Sequence, residues 1–310
     1  MVDLSIVIVS WNVRDLLRCC LDSILGAFCI VHSAPSIEIL VVDNGSVDGS
    51  VEMLRADFPD VHVIVNAENR GFPAGNNQGM ALARGRYVLL LNPDTEVVGD
   101  ALATMVAFAD EHPDVGVIGP QLLNPDGSIQ SSRRRFPTLA TAFFESTWLQ
   151  PCAPRSLLER YYVLDHPDDA VLDVDWMQGA ALMARREGID QIGPMDERFF
   201  MYSEELDWCR RFCEAGWRVV YLPIAQVIHH AGKSSEQVLP ARHIHFQTSK
   251  VRYFDKYHGR IAAGLLRLFL LGNYAWQLGV EGLKWLIGHR RPLREGRITA
   301  YWQVLRSGLR

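Results

Sequence analysis

The first hundred residues alternate short apolar runs with segments of helical periodicity. Residues 5–9, 38–42, 61–65 and 87–91 are rich in Val, Ile and Leu and are bounded by turn residues. Runs of that length predict strands buried on both faces. Between them, 14–25, 51–58 and 75–83 carry apolar positions at helical spacing. Strands alternating with helices imply an α/β fold with a doubly wound, mostly parallel, Rossmann-like sheet. Further on, 115–119 predicts another strand, 131–135 a polar loop, and 174–183 an apolar segment interrupted by Gln178-Gly179. Residues 198–216 read as a loop entering a helix, and 219–222 and 225–228 as two short strands. From about Arg242 the pattern is helical. The expected division is therefore a sheet domain over 1–245 and a C-terminal helical region over 246–310.

Sheets of this kind bind ligands beyond the carboxyl ends of their strands. Those ends read Ser10-Trp11-Asn12, then Asp43-Asn44-Gly45-Ser46, then Asn69-Arg70-Gly71 through Asn76-Asn77, then Asn92-Pro93-Asp94-Thr95. Each is also good turn chemistry, but four in succession on the ligand edge point to a binding site. Asp94 can hold Mg²⁺ or Mn²⁺, hard ions that take oxygen ligands and share their shell with substrate phosphates; Asn-Pro-Asp is equally a sound turn. Glu204-Glu205-Leu206-Asp207 crowds carboxylates beside aromatic residues, which raises a carboxyl pKa and suits a general base. The same stretch fits a helix start, with Ser203 as cap and acids in the first turn. His229, leading His229-His230-Ala231-Gly232-Lys233-Ser234, is either a metal ligand or a hydrogen-bonded core histidine.

Composition narrows the classes. At 310 residues, with 48% hydrophobic and 22% charged positions, the chain can bury a sizeable core. A net charge of −5 excludes a general nucleic-acid binder. None of the six cysteines forms a C-x-x-C pair, and their scatter suits a reducing, cytoplasmic compartment. The opening residues read as a strand rather than a signal peptide. No run of 18 apolar residues predicts a simple spanning helix.

Residues 261–286 are rich in Leu, Ala and Trp but interrupted by Arg267, Glu281 and Lys284. They fit helices packed on the main domain or in a homo-oligomer. They fit equally a peripheral anchor on the inner face of the plasma membrane, with Trp276, Trp285 and Trp302 at headgroup depth. In that reading Arg290, Arg291, Arg294 and Arg297 face anionic lipid.

The succession 5–12, 41–50, 69–79, 89–95, 176–183, 199–210 and 229–234 resembles glycosyltransferase family 2, particularly its rhamnosyltransferase-like bacterial members. The resemblance implies a GT-A fold, a nucleoside-diphosphate sugar donor, a divalent cation (Mg²⁺ or Mn²⁺) and inversion at the anomeric carbon. It also implies a glycan or lipid-linked acceptor in cell-surface polysaccharide or glycolipid assembly, with rhamnose as the first candidate sugar. By that likeness Asp43 contacts the nucleoside base beside Ser10 and Asn12. Asn69, Gly71, Asn76 and Asn77 form the glycine-rich turn near the nucleotide, and Gln178 and Gly179 fall in the donor-site segment. Asn92 and Asp94 occupy the Asp-x-Asp position, with Asp94 and His229 as metal ligands. The catalytic base lies in Glu204-Glu205, with Glu205 preferred and Asp207 a third candidate. Asn92 departs from the usual first Asp, and Glu205 from the usual second-position Asp. The rivals are a nucleotidyltransferase or sugar-nucleotide hydrolase on a related fold, and a non-catalytic binding module. Ser10-Trp11-Asn12-Val13 offers no glycine-rich phosphate loop for the former.

Overall fold

The computed structural model describes residues 2–30, 35–230 and 239–310; residues 231–234 of the histidine-led motif lie outside that set. In chain order the elements begin β1 (Leu4–Ser10), α1 (Arg14–Ile30), β2 (Ile37–Asp43), α2 (Ser50–Asp57), β3 (His62–Val65), α3 (Phe72–Leu82) and β4 (Tyr87–Leu91). There follow β5 (Thr95–Val97), α4 (Ala101–Glu111), β6 (Val115–Leu123), β7 (Ile129–Gln130), β8 (Arg133–Arg134), α5 (Leu139–Phe144) and α6 (Arg155–Tyr161). The chain continues with β9 (Leu172–Asp173), β10 (Trp176–Met177), β11 (Ala181–Arg185), α7 (Arg186–Ile192), α8 (Glu204–Glu214) and β12 (Arg218–His229). It ends with α9 (Leu239–Leu286) and α10 (Arg291–Ser307).

These elements form two compact units. One holds Met1–Phe136, Tyr162–Phe200 and Glu204–Ser234, the other Pro137–Tyr161, Met201–Ser203 and Ser235–Arg310. The division is not a single cut after residue 245, because an excursion at 137–161 and three residues before α8 go with the C-terminal helices.

The first unit is built on a sheet ordered β3-β2-β1-β4-β11-β6-β12-β5. The strands β3, β2, β1 and β4 are parallel, as the alternating pattern predicts. The sheet is nevertheless mixed: β11 runs antiparallel between β4 and β6, and β5 antiparallel to β12. Successive residues of β1 serve opposite faces. Leu4, Ile6 and Ile8 pack with α1, α2 and α4, while Val7 packs with α3, α7 and α8. Helix α3 comes unusually close to β1, since a Cβ on Gly75 or Gly79 would lie 2.8 Å from Val9 or 2.3 Å from Val7.

Three expectations change. Strand β3 is only partly covered. The two short strands foreseen at 219–222 and 225–228 are one strand, β12, whose register against β6 shifts between Leu222 and Gln226. Residues 131–135 are not a free polar loop, because Arg133 and Arg134 are buried in β8, paired with β10. Arg133 donates to the carbonyls of His166 and Pro167 and to Asp168 Oδ1, and Arg134 lies over the Tyr162 ring.

In the second unit α9 breaks at Gly259, whose φ of 83° is non-helical, and α10 packs back along α9. Arg294 is buried and donates to Glu281 Oε2 at 2.6 Å, so it does not face lipid as the sequence suggests. Trp285 is half-buried and donates to Glu295. The interrupting charges in α9 are thus absorbed internally: Glu281 by Arg294, and Arg267 by the Gly308 carbonyl. Among the described residues no helix is long and apolar enough to cross a membrane.

Candidate active site

Topology explains why distant motifs meet. Parallel strands present their carboxyl ends at one edge, and an antiparallel strand delivers its amino end there. Ala181 of β11 pairs with Leu91 of β4, which brings Gln178-Gly179 beside Asn92-Pro93-Asp94. His229, ending β12, pairs with Thr95 of β5 and so lies next to Asp94.

The first two strand ends form a hydrogen-bonded pair of loops. Asp43 Oδ2 accepts from the backbone N–H groups of Gly45 and Ser46 at 3.1 and 2.9 Å. Asn12, held at φ 52°, donates its N–H to Ser46 Oγ and accepts from Val47 N–H. Asn44 and Asn66, the latter in none of the motifs, tie this pair to α3: Asn66 bridges Asn44 Oδ1 and Gln78 Oε1. Asn69 Oδ1 accepts from Gly71 N–H at 2.9 Å. Gly71 has φ 89° and ψ 167°, and a Cβ there would lie 2.6 Å from the Phe200 carbonyl oxygen. Only glycine tolerates that conformation and that approach. The neighbouring Phe72 N–H donates to the same carbonyl, which joins the glycine turn to the chain just before the acidic pair.

Asn77 does not face this edge as the resemblance implies. Its amide donates to the Met195 carbonyl and Glu197, and accepts from Met195 N–H. It fastens α3 to the loop before α8. Asp207 is likewise committed: fully buried, it accepts from Arg211 Nε at 3.0 Å one helical turn on. Of the three acids, Glu204 and Glu205 therefore remain the candidates. Ser203, expected as an ordinary helix cap, has a left-handed φ of 65°, and Tyr202 a φ of 69°. Two adjacent left-handed residues without glycine store about 1–3 kcal/mol each. Ser249 Oγ, in the second unit, donates to the Met201 carbonyl and so braces that segment.

Glu204 is 4% exposed. Its carboxyl is pushed well above the usual range, first by burial and then by the neighbouring Glu205 charge. The half-buried Glu205 stem lies against Gly179, where a Cβ would sit 3.4 Å from Glu205 Cβ. Burial and the adjacent carboxylate both favour the protonated form of Glu204.

Asp94 Oδ1 lies 3.5 Å from His229 Nε2, and both side chains are largely buried. The histidine tautomer follows from Gln130. Its Nε2 donates to Asn124 Oδ1 at 2.9 Å and the His229 carbonyl at 3.4 Å, so its Oε1 is the acceptor facing His229 Nδ1 at 2.7 Å. Nδ1 therefore donates to Gln130, and the other ring nitrogen, Nε2, is the one turned toward the carboxylate. A carboxylate oxygen and an imidazole nitrogen facing one another are a donor set that suits a divalent cation. No spacing in the sequence points to Gln130, 99 residues before the histidine; only the pairing of β7 with β6 places it.

One further property unites the edge. Ser10 Oγ, Asp43 Oδ1, Asn76 Oδ1, Asn92 Oδ1, Asp94 Oδ1, Gln178 Oε1 and Glu204 Oε2 are buried with no hydrogen-bond partner among the described residues. Buried polar atoms in native proteins are almost always satisfied. Orphans from six separated segments gathered at one edge make it the candidate place for a polar ligand.

The model for glycosyl transferase family 2 matches residues 5–165, and that for glycosyl transferase family group 2 matches 87–305. An N-acetylglucosaminyl-diphospho-decaprenol L-rhamnosyltransferase of Mycobacterium tuberculosis is 30% identical over 82% of this chain and 86% of its own length. Rhamnosyltransferase WbbL of Escherichia coli is 28% identical over 52% of this chain and 61% of its own. Among solved structures, the mannosyltransferase PcManGT of Pyrobaculum calidifontis, in complex with GDP-Man and Mn²⁺, superposes with a TM-score of 0.57. It is 17% identical and the match covers 99% of this chain and 84% of that one. With the α/β GT-A fold and the matches spanning both halves of the sequence, the chain belongs to glycosyltransferase family 2 and is a glycosyltransferase of the rhamnosyltransferase-like kind.

Proposed function

We propose that this glycosyltransferase moves a sugar, rhamnose in the first instance, from a nucleoside diphosphate to a hydroxyl of a glycan or lipid-linked acceptor, with inversion. The setting is cell-surface polysaccharide or glycolipid assembly at the cytoplasmic face of the membrane. The observation carrying the donor site is the row of orphaned buried acceptors from Ser10 to Gln178. These atoms accept from the donor's base, ribose and sugar hydroxyls, with Asp43 nearest the nucleoside in the role the family assigns it. The relatives' names supply the chemistry of sugar and acceptor: one uses a diphospho-decaprenol carrier, and both that relative and WbbL transfer rhamnose.

Asp94 and His229 would hold Mg²⁺ or Mn²⁺, which when bound would supply positive charge to the departing diphosphate. Asn92, in place of a second carboxylate, lowers the negative charge of this cradle. Glu205 removes the acceptor hydroxyl proton as the oxygen attacks the anomeric carbon from the side opposite the diphosphate. Glu204, kept neutral, spares the pair a second charge beside that developing nucleophile.

The test is Glu205→Gln. A positioned general base contributes about 10²–10⁴-fold in rate, so the variant should lose turnover by that factor while binding donor normally in calorimetry. Nucleoside diphosphate release should require acceptor and divalent cation. Release without acceptor would identify a hydrolase, and near-normal turnover of the variant would remove Glu205 from the mechanism.

A further inference from the structure

The exposed side of α9 has a composition unlike the rest of the surface. Between Ile261 and Leu283 every exposed residue is apolar or glycine: Ile261, Leu265, Leu268, Ala275, Trp276 and Leu283, with glycines between them. Ile261 is 82% exposed, Leu268 70% and Trp276 63%. Counting Gly272 and Gly279, the exposed positions from Ile261 through Leu265, Leu268 and Trp276 to Leu283 follow one another at three or four residues, so they line one side of the helix as a stripe. At 1.5 Å per residue it runs about 33 Å. A contiguous apolar face of that extent on a monomer marks an interaction surface.

The stripe's flanks choose the partner. Lys256 and Arg260 stand exposed at one end, Arg290 and Arg291 at the other. Between these ends the only acid is Glu281, which is buried and neutralised by Arg294, while the exposed Asp255 and Glu295 at the margins are outnumbered by Lys256, Arg260, Arg290, Arg291 and Arg297. Two copies packed along this stripe, parallel or antiparallel, would set one cationic excess against another at both ends. An anionic lipid surface neutralises both ends and takes up the apolar side chains between them. We infer that the exposed face of α9 seats this protein on an anionic bilayer, with Leu265, Leu268 and Trp276 at the interface. Arg294 and the Trp285 indole N–H, engaged within the helix pair, take no part. The inference goes beyond the proposed reaction and does not depend on which sugar is transferred.

Full-length protein would be sedimented with sucrose-loaded vesicles of phosphatidylcholine, with and without phosphatidylglycerol. Binding should require the anionic lipid and weaken with salt, and each of Arg290→Ala and Arg291→Ala should cost about fivefold in partitioning. Leu265→Glu, Leu268→Glu and Trp276→Glu together should abolish binding, while Ile224→Glu, at an exposed apolar site in the first unit, should leave it unchanged. Circular dichroism confirms that each variant folds. No partitioning of the wild type overturns the inference. So does a stable dimer in analytical ultracentrifugation that the triple variant splits while vesicle binding persists, since a second copy would then own the stripe.

Discussion

Gly71→Ala tests how the donor loop is joined to the acidic pair. The glycine sits at φ 89° and ψ 167°, a region that L residues enter at about 1–3 kcal/mol. Its new methyl would also stand 2.6 Å from the Phe200 carbonyl oxygen, a backbone atom that cannot swing aside. Relief of that contact must lengthen the 2.9 Å bond from Phe72 N–H to the same carbonyl, worth about 1 kcal/mol. Together the terms predict a loss of about 2–4 kcal/mol in urea unfolding, read from the midpoint at constant m-value. Gly99→Ala supplies the comparison: φ is also positive, at 56°, but nothing lies within 4 Å of the added methyl. There only the conformational cost of about 1 kcal/mol remains. Because Phe200 leads toward Glu204, Gly71→Ala should also weaken turnover, and Gly99→Ala should not. Equal destabilisation by the two substitutions would refute the close approach as the reason for glycine at 71.

Three further outcomes follow from the geometry. Gln130→Leu removes the acceptor that fixes the His229 tautomer, so Mn²⁺ affinity measured by calorimetry with nucleoside diphosphate present should fall about 10–100-fold, whereas Gln130→Glu should retain most of it. Glu204 binds its proton more tightly folded than unfolded; its contribution is complete below the unfolded carboxyl pKa and is lost as pH rises toward the folded value. The ligand-free protein should thus lose stability on going from mildly acidic to neutral pH, and Glu204→Gln should flatten that slope; an unchanged slope in thermal melts counts against the buried proton. Glu281→Ala strands Arg294 in the interior and should cost about 3–5 kcal/mol, with most of the loss recovered when Arg294→Met is added.

The parallel half of the sheet was legible because strands buried on both faces leave an unbroken apolar run, and 87–91 matches β4 residue for residue. Strand direction was not legible: β11 carries no mark of being antiparallel, since local periodicity is blind to the partner. The same blindness hid Gln130, whose importance comes from pairing and not from spacing. Arg133 and Arg134 misled for a related reason. Three consecutive arginines look solvated, but a guanidinium with carbonyls arranged around it can be buried. The strand-end motifs were found because polar residues at successive carboxyl ends have few other uses; Asn77 and Asp207 show that membership of a motif does not fix where a side chain points.

The left-handed backbone at Tyr202 and Ser203 carries an implication for any effort to harden this protein. A glycine at 203 would relax the local conformation and, other contacts being equal, raise the melting temperature. The same change would loosen the one stretch that aims Glu204 and Glu205. Selection for thermostability alone would therefore drift toward mutants that fold better and turn over more slowly. A screen that scores both properties should find its sharpest conflict at this pair of residues.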